Sequence, residues 1–262
     1  MRYLEAGDGL PLLLLHGIGH SSTAWRRVIP ELASSSRVLA IDLPGFGGSA
    51  APTSTPYGGP KYFSRVIDEF ATALDLAVVD AVGHSGGGLA LLDDALDNPA
   101  RYRRLVVVDP AGFTPTPDNL LGSAASSLAR LFVSVPHNRA ITRALYATAF
   151  FDPSKLDEET VDELDRRHRD AAAKRVARTT LTKFIDYCRR LEPFHERLAS
   201  LRPPLLAIWG SDDRLFHPRR ATALARLLPH ARVEVFERCG HCPQIEAPQR
   251  FVETVREFLS AP

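Results

Sequence analysis

Cysteine is scarce in this 262-residue chain: Cys188, Cys239 and Cys242 are the only three, an odd set that argues against a disulfide framework. Long apolar runs are missing as well. The longest, Leu10–Leu15, falls far short of the roughly 20 residues a membrane-spanning helix requires. Net charge is almost absent, with 32 basic residues against 31 acidic ones, so no global field draws the chain to nucleic acid or an anionic membrane. The local basic clusters, Arg166-Arg167-His168-Arg169 and Arg189-Arg190, are interleaved with acids and read as solvated helix faces. Residues 1–5 show no basic-then-apolar leader, and no internal repeat or low-complexity tract is visible. These absences leave a cytoplasmic enzyme acting on a small molecule as the expectation, with the oligomeric state open.

What is present is an alternation. Short β-rich apolar runs occur at Pro11–Leu15, Arg37–Ile41, Ala77–Val82, Leu105–Val108, Leu205–Trp209 and Val233–Phe236. Helical patterns lie between most of them, at Ser22–Ala33, Tyr62–Leu74, Gly87–Leu96, Pro218–Leu228 and Pro248–Leu259. Near-continuous apolar strands separated by helices imply a mainly parallel sheet covered on both faces, a doubly wound α/β architecture. The alternation breaks between about Gly112 and Arg202, where the pattern is helical only, as in Asp157–Ala173 and Ala177–Leu191. A structureless loop of that length does not suit a compact domain. The reading is a core of residues 1–112 and 203–262 and a helical cap of residues 113–202, with Pro115, Pro117 and Pro203-Pro204 at its hinges.

The strand ending at Val82 runs into Gly83-His84-Ser85-Gly86-Gly87 and a helix pattern follows. This is G-x-S-x-G in the strand–turn–helix setting of a nucleophile elbow. The serine there needs a strained backbone, so its neighbours must be nearly free of side chain, and it sits at a helix N-terminus. After the apolar strand Leu12–Leu15 comes His16-Gly17-Ile18-Gly19, a loop able to offer the Ile18 N–H toward the same point. With the Gly86 N–H it forms a candidate pair of oxyanion donors. His16 itself reads as a structural, hydrogen-bonded histidine. A serine hydroxyl needs a base. The strand Leu205–Trp209 ends in Gly210-Ser211-Asp212-Asp213, and Val233–Phe236 leads to Cys239-Gly240-His241-Cys242-Pro243. Strand C-termini of open α/β sheets share one edge, which brings Ser85, an aspartate of this pair and His241 together. The chain order serine, acid, histidine suits such a sheet.

Taken together, His16-Gly17-Ile18-Gly19, Asp42-Leu43-Pro44-Gly45-Phe46-Gly47-Gly48-Ser49, Gly83–Gly87, Trp209-Gly210-Ser211-Asp212-Asp213 and Gly240-His241-Cys242-Pro243-Gln244-Ile245-Glu246-Ala247-Pro248 resemble the α/β-hydrolase family over nearly the whole chain. The resemblance implies an α/β-hydrolase fold with a helical cap, Ser85 as nucleophile, His241 as general base, and Asp213 rather than Asp212 as the acid. It also implies no cofactor and no metal. Asp109, after Leu105–Val108, stands where some hydrolases of this fold carry the acid instead. Because only Met1–Glu5 precede the Ala6–Gly9 turn, the family's first strand is expected to be missing, leaving seven strands of a possible eight.

Cys239-Gly240-His241-Cys242 is a C-x-x-C, but it lies after the last strand and no second cysteine pair completes a zinc site. It reads as coincidence. The expected activity is hydrolysis of a carboxylic ester of a small, largely apolar substrate. A carbon–carbon bond hydrolase of ring-cleavage products and a haloperoxidase- or perhydrolase-like enzyme are the alternatives within the family. Ring-cleavage relatives commonly place tryptophan after the catalytic histidine, where this chain has Cys242. A ligand-binding protein on a hydrolase scaffold is the alternative from another class. Specificity is assigned to the cap, where Leu128, Leu131, Phe132, Leu145, Tyr146, Phe150 and Phe151 either line an acyl pocket or form the cap's own core.

Overall fold

The computed structural model describes residues 1–53, 56–113 and 138–261. Seven strands form one sheet: β1 Tyr3–Ala6, β2 Pro11–Leu15, β3 Arg37–Ile41, β4 Val79–His84, β5 Tyr102–Val108, β6 Leu205–Gly210 and β7 Arg232–Phe236. Their spatial order is β1-β3-β2-β4-β5-β6-β7; β1 pairs antiparallel with β3, and every other pairing is parallel. The strand direction of growth reverses between β2 and β4. That switch point opens a crevice beyond the strand C-termini.

The apolar runs are buried on both faces because the period-two pleat sends alternate side chains to opposite layers. Leu13, Leu15, Leu39, Ile41, Ala81, Val107 and Ala207 face one layer, closed by the helices α2 (Pro60–Ala73) and α3 (Gly86–Asp97). Leu12, Leu14, Val38, Ala40, Val82, Val106 and Ile208 face the other, closed by Trp25 and by Phe251, Val252 and Val255 of the C-terminal helix Pro248–Ser260.

Several elements differ from the expectations. β1 is a strand the reading did not place, too short to show alternation, and it turns into β2 through Gly7 and Gly9 at positive φ. The pattern at Ser22–Ala33 resolves into a 3-10 turn, Ser22–Trp25, and a short helix α1, Ile29–Leu32, with Pro30 in its first turn. β4 begins at Val79 and extends to His84, delivering Ser85 directly.

Between β5 and β6 the described residues hold helices and no strand: α4 Arg139–Ala147, α5 Glu158–Arg169, α6 Ala171–Cys188 and α7 Glu192–Leu198. The helix expected over Asp157–Ala173 stops at Arg169. Asp170 is extended there, and its side chain accepts the Ala173 N–H at 2.7 Å, capping α6. Asp157 caps α5, with Glu158 and Glu159 in its first turn and Arg166–Arg169 in its last, the arrangement the helix dipole favours. Pro115, Pro117, Leu128, Leu131 and Phe132 lie outside the described residues. Of the other residues assigned to an acyl pocket, Leu145, Tyr146 and Phe150 are buried, and Tyr146 and Phe150 pack with Val161, Leu164 and Ile245. Phe151 is half-buried under the Arg238 guanidinium. Two short helices follow β6 and β7: α8 (Arg219–Leu227) and α9 (Pro243–Glu246), with α10 the C-terminal helix already named. No described helix is long and apolar enough to cross a membrane.

The end of β6 is packed against the backbone of the loop that follows β7. A Cβ at Gly210 would overlap the carbonyl oxygens of Gly240 and Cys239, neither of which is a flexible side chain. Gly210→Ala should therefore lower stability by about 1–3 kcal/mol, as overpacking does. Differential scanning calorimetry should show a fall in Tm of roughly 3–10 °C; an unchanged Tm would mean that the two loops are not held this tightly.

Candidate active site

The parallel strands end at one edge of the sheet, and five of the loops leaving it carry the residues of interest: Gly17–His20 after β2, Ser85 after β4, Asp109 after β5, Ser211–Phe216 after β6 and Glu237–Cys242 after β7. Ser85 has φ 54 and ψ −120, a region L-residues avoid. The surroundings enforce it. Ser85 N–H still bonds to the Val108 carbonyl at 2.8 Å as though the strand continued, and its own carbonyl accepts Ala111 N–H at 3.1 Å. A Cβ at Gly17 would crowd the Ser85 side chain, and one at Gly87 would overlap the His16 carbonyl, so both positions demand glycine. Among the described residues the N–H groups of Ile18 and Gly86 donate to no acceptor, and Gly86 packs against the Ile18 side chain. The two donors named from sequence are thus neighbours beside Ser85.

His241 is fixed from several sides. Its Nδ1 lies 2.7 Å from Asp213 Oδ2, and its ring stands edge-on to Phe216 with 5.1 Å between centroids. Asp213 Oδ1 accepts the N–H groups of Leu215 and Phe216 at 2.7 and 2.8 Å, so the carboxylate is held at both oxygens. Asp212 instead accepts the Ser211 hydroxyl at 2.6 Å in an exposed turn. The His241 N–H donates to the Ala149 carbonyl of the inserted segment at 2.7 Å. Ser85 and His241 are not hydrogen-bonded to each other, and such contacts often tighten only when a substrate is bound.

Sequence reasoning missed two supports of this arrangement. His84 Nε2 donates to the His241 carbonyl at 2.7 Å, and the two rings lie 4.8 Å apart, so the residue before Ser85 ties the serine turn to the histidine loop. Glu246 accepts from Gly240 N–H at 2.7 Å with one oxygen and from the Phe151 and Asp152 N–H groups at 2.8 and 3.1 Å with the other. Its place in the Gly240–Pro248 motif was the available signal. His16 is structural, as expected: Nδ1 donates to the Gly17 carbonyl at 2.8 Å and Nε2 accepts the Leu43 N–H at 3.1 Å.

Cys239 and Cys242 are free, buried and placed in different apolar clusters. Burial pushes both thiols up, which disfavours the reactive thiolate. The described residues hold one grouping with the spacing of a cation site: an oxygen each of Asp109 and Asp213 and a ring nitrogen of His241, all within 4.8 Å of one another. His241 Nδ1 is already committed to Asp213 in it.

A profile of the alpha/beta hydrolase family matches residues 12–254. The 2-hydroxymuconate semialdehyde hydrolase of Pseudomonas sp. (strain CF600) is 29% identical over 282 residues, covering 98% of this chain and 89% of its own length. The crystal structure of 2-hydroxy-6-oxo-6-phenylhexa-2,4-dienoate hydrolase from Rhodococcus sp. strain RHA1 superposes with a TM-score of 0.87 at 26% identity, covering 99% of this chain and 94% of that one. A membrane phospholipase A described as a bacterial virulence factor superposes with a TM-score of 0.83 at 26% identity, covering 98% of this chain and 81% of that one.

Three histidines around the site, His16 and His84 buried and His20 half-buried, set an acid limit. Burial lowers His16 to about 4 and His20 to about 3, and it holds His84 well below the ordinary histidine value. All three stay neutral in the fold, while the unfolded chain takes up their protons below pH ~6.5. The contribution of keeping them neutral is therefore complete above that pH and is lost as pH falls toward 4, by up to about 1.4 kcal/mol per pH unit for each histidine. Tm measured from pH 7.5 to 4.5 should fall steeply, and His20→Gln should make the slope shallower. A slope unchanged by that substitution would show that His20 is not held neutral.

Proposed function

Because the chain belongs to the alpha/beta hydrolase family, and is a hydrolase, we propose that it cleaves a carbon–carbon bond in an acidic ring-cleavage product of the 2-hydroxy-6-oxo-dienoate type, with Ser85 as nucleophile, His241 as base and Asp213 as its acid. In this reading Ser85 Oγ attacks the ketone carbonyl while His241 takes its proton. The oxyanion that forms is received by the N–H groups of Ile18 and Gly86, at a helix N-terminus. Collapse of the tetrahedral adduct breaks the adjacent C–C bond. With the substrate in its 2,6-dioxo-3-ene tautomer, the departing C5 carbanion is delocalised through the enone as a dienolate, which takes the proton back from the His241 imidazolium. Water, activated by the same histidine, then releases the acyl group from Ser85. No step calls on a metal or an organic cofactor. The helices α4–α7 cover the site in this reading, with Ala149 meeting the histidine loop and Phe151 held by Glu246.

The observation that carries the choice of substrate is Arg167. Its half-buried guanidinium donates to the carbonyls of His20 at 3.2 Å and Gly45 at 3.0 Å, lies 4.8 Å above the Phe46 ring, and has no carboxylate at ion-pair distance among the described residues. Burial pulls its pKa down, against the opposing pull of the nearby Glu163, Asp42 and Asp170 charges. It lines a cavity of about 30 Å³ with Gly19, Tyr146 and Leu164. A carboxylate-bearing substrate gains a direct ionic partner in Arg167 beside the Gly17–His20 loop, whereas a neutral ester does not.

Ester hydrolysis is the second reading. It is favoured by Cys242, which is buried and follows His241 where tryptophan is common in ring-cleavage relatives. Arg167→Met separates the two. The variant should raise KM for a 2-hydroxy-6-oxo-dienoate by roughly 10- to 100-fold, the ~1.5–3 kcal/mol of a charge-assisted bond. Hydrolysis of p-nitrophenyl acetate should stay within about twofold. Equal effects on both substrates, or no turnover of the dienoate by wild type beside brisk ester hydrolysis, would transfer the assignment to an esterase. Ser85→Ala should reduce turnover of either substrate by several orders of magnitude, on the order of 10⁶ where a triad nucleophile is lost. Asp213→Asn should lower kcat strongly and Asp212→Asn should not; the reverse ranking would name Asp212 as the acid.

A further inference from the structure

Asp109 is an aspartate the reaction does not use, yet it is completely buried at the end of β5, against the acid of the site. Its φ of 42 lies in the left-handed region, and its N–H bonds to the Ile208 carbonyl at 2.9 Å. Such backbone strain persists only where surroundings over-determine it. Oδ1 accepts the Gly210 N–H at 3.0 Å, and Oδ2 receives no donor from the protein. Oxygens of Asp109 and Asp213 and a His241 nitrogen lie within 4.8 Å of one another.

The donors assign the charge. Asp213 receives three N–H groups, from Leu215, Phe216 and His241, which suits an ionised carboxylate. Asp109 receives one. Two buried carboxyls at this separation do not both ionise, so one proton is shared between them. Burial, and then the Asp213 charge, push Asp109 well up. The other titratable groups facing the pair are Glu246, Cys239 and Cys242 around Asp109, and Arg220 toward Asp213. Glu246 adds negative charge and the thiols are neutral, so neither favours a second carboxylate at Asp109.

We propose that Asp109 is a positioning residue: held by the Gly210 N–H, it donates a hydrogen bond from Oδ2 to the Asp213 carboxylate and so fixes that carboxylate against His241. The inference rests on the reading of Asp213 and His241 as acid and base. Asp109 never touches the substrate. It serves as a neutral donor, a part that asparagine can also play, with its carbonyl oxygen accepting from Gly210 and its amide donating to Asp213. Leucine fills similar volume and offers neither.

The test compares D109N and D109L with D213N and wild type, measuring kcat, KM and Tm from pH 5 to pH 8. D109N should keep kcat within about threefold, while D109L should lose roughly 10- to 100-fold in kcat with KM within about twofold. The pH dependence of Tm reports the proton directly. A native Asp109 that keeps its proton loses stability relative to the unfolded chain as pH rises above ~3.9, where the unfolded aspartate ionises. The Tm of D109N minus that of wild type should therefore grow from pH 5 to pH 8, a readout available even if D109L fails to fold. If D109N is as inactive as D213N, or the Tm difference shrinks with pH, Asp109 is a charged acid and the proposal is wrong. D109L with wild-type kcat beside an inactive D213N would remove the positioning role alone. D213N with wild-type kcat would instead overturn the acid–base reading beneath it.

Discussion

The 2.7 Å hydrogen bond between His241 Nδ1 and Asp213 Oδ2 is the contact to which the surrounding architecture is fitted. It joins loops from two adjacent parallel strands, β6 and β7, whose C-termini the sheet brings to one edge. Backbone packing then removes the freedom of both loops. Gly210 has no room for a Cβ against Gly240, Glu246 holds the Gly240 N–H, and His84 holds the His241 carbonyl. Ser85 is strained by the same elements, since its N–H remains in register with β5 while the chain turns into α3. A site built this way has little to reorganise when charge develops, which is where preorganised donors act most strongly.

Much of this was legible in the sequence, for identifiable reasons. The six short apolar runs gave the sheet because a strand covered on both faces has no polar alternation to obscure it. The glycines around Ser85 and after His16 were readable because close approach leaves no substitute for them. His241 and the pair Asp212-Asp213 followed from strand ends, and the family resemblance chose Asp213 of the two. What escaped has its own logic. β1 spans four residues and shows no period. The break at Asp170 depended on a cap inside a charged run that reads as continuous helix. The anchors His84 and Glu246 and the pairing of Asp109 with Asp213 are long-range contacts, and nothing local distinguishes a histidine that bonds a carbonyl 157 positions away.

Charge divides the functional possibilities more sharply than fold does. The same fold occurs in structural neighbours named as a 2-hydroxy-6-oxo-6-phenylhexa-2,4-dienoate hydrolase and as a membrane phospholipase A. Arg167 beside the Gly17–His20 loop favours an acidic substrate, while Cys242 after His241 departs from the ring-cleavage pattern. The two features act on different parts of a substrate, its carboxylate and the space over the histidine. A ring-cleavage hydrolase accepting an unusual group on the acyl side accommodates both.

Covalent capture at Ser85 tests the central claim most directly. The folded protein, incubated at pH 7.5 with a fluorophosphonate probe and analysed by intact and peptide mass spectrometry, should carry one adduct, located on Ser85. The adduct should be absent from Ser85→Ala and should form much more slowly in His241→Ala. An adduct on another residue, or undiminished labelling in either variant, would contradict the account.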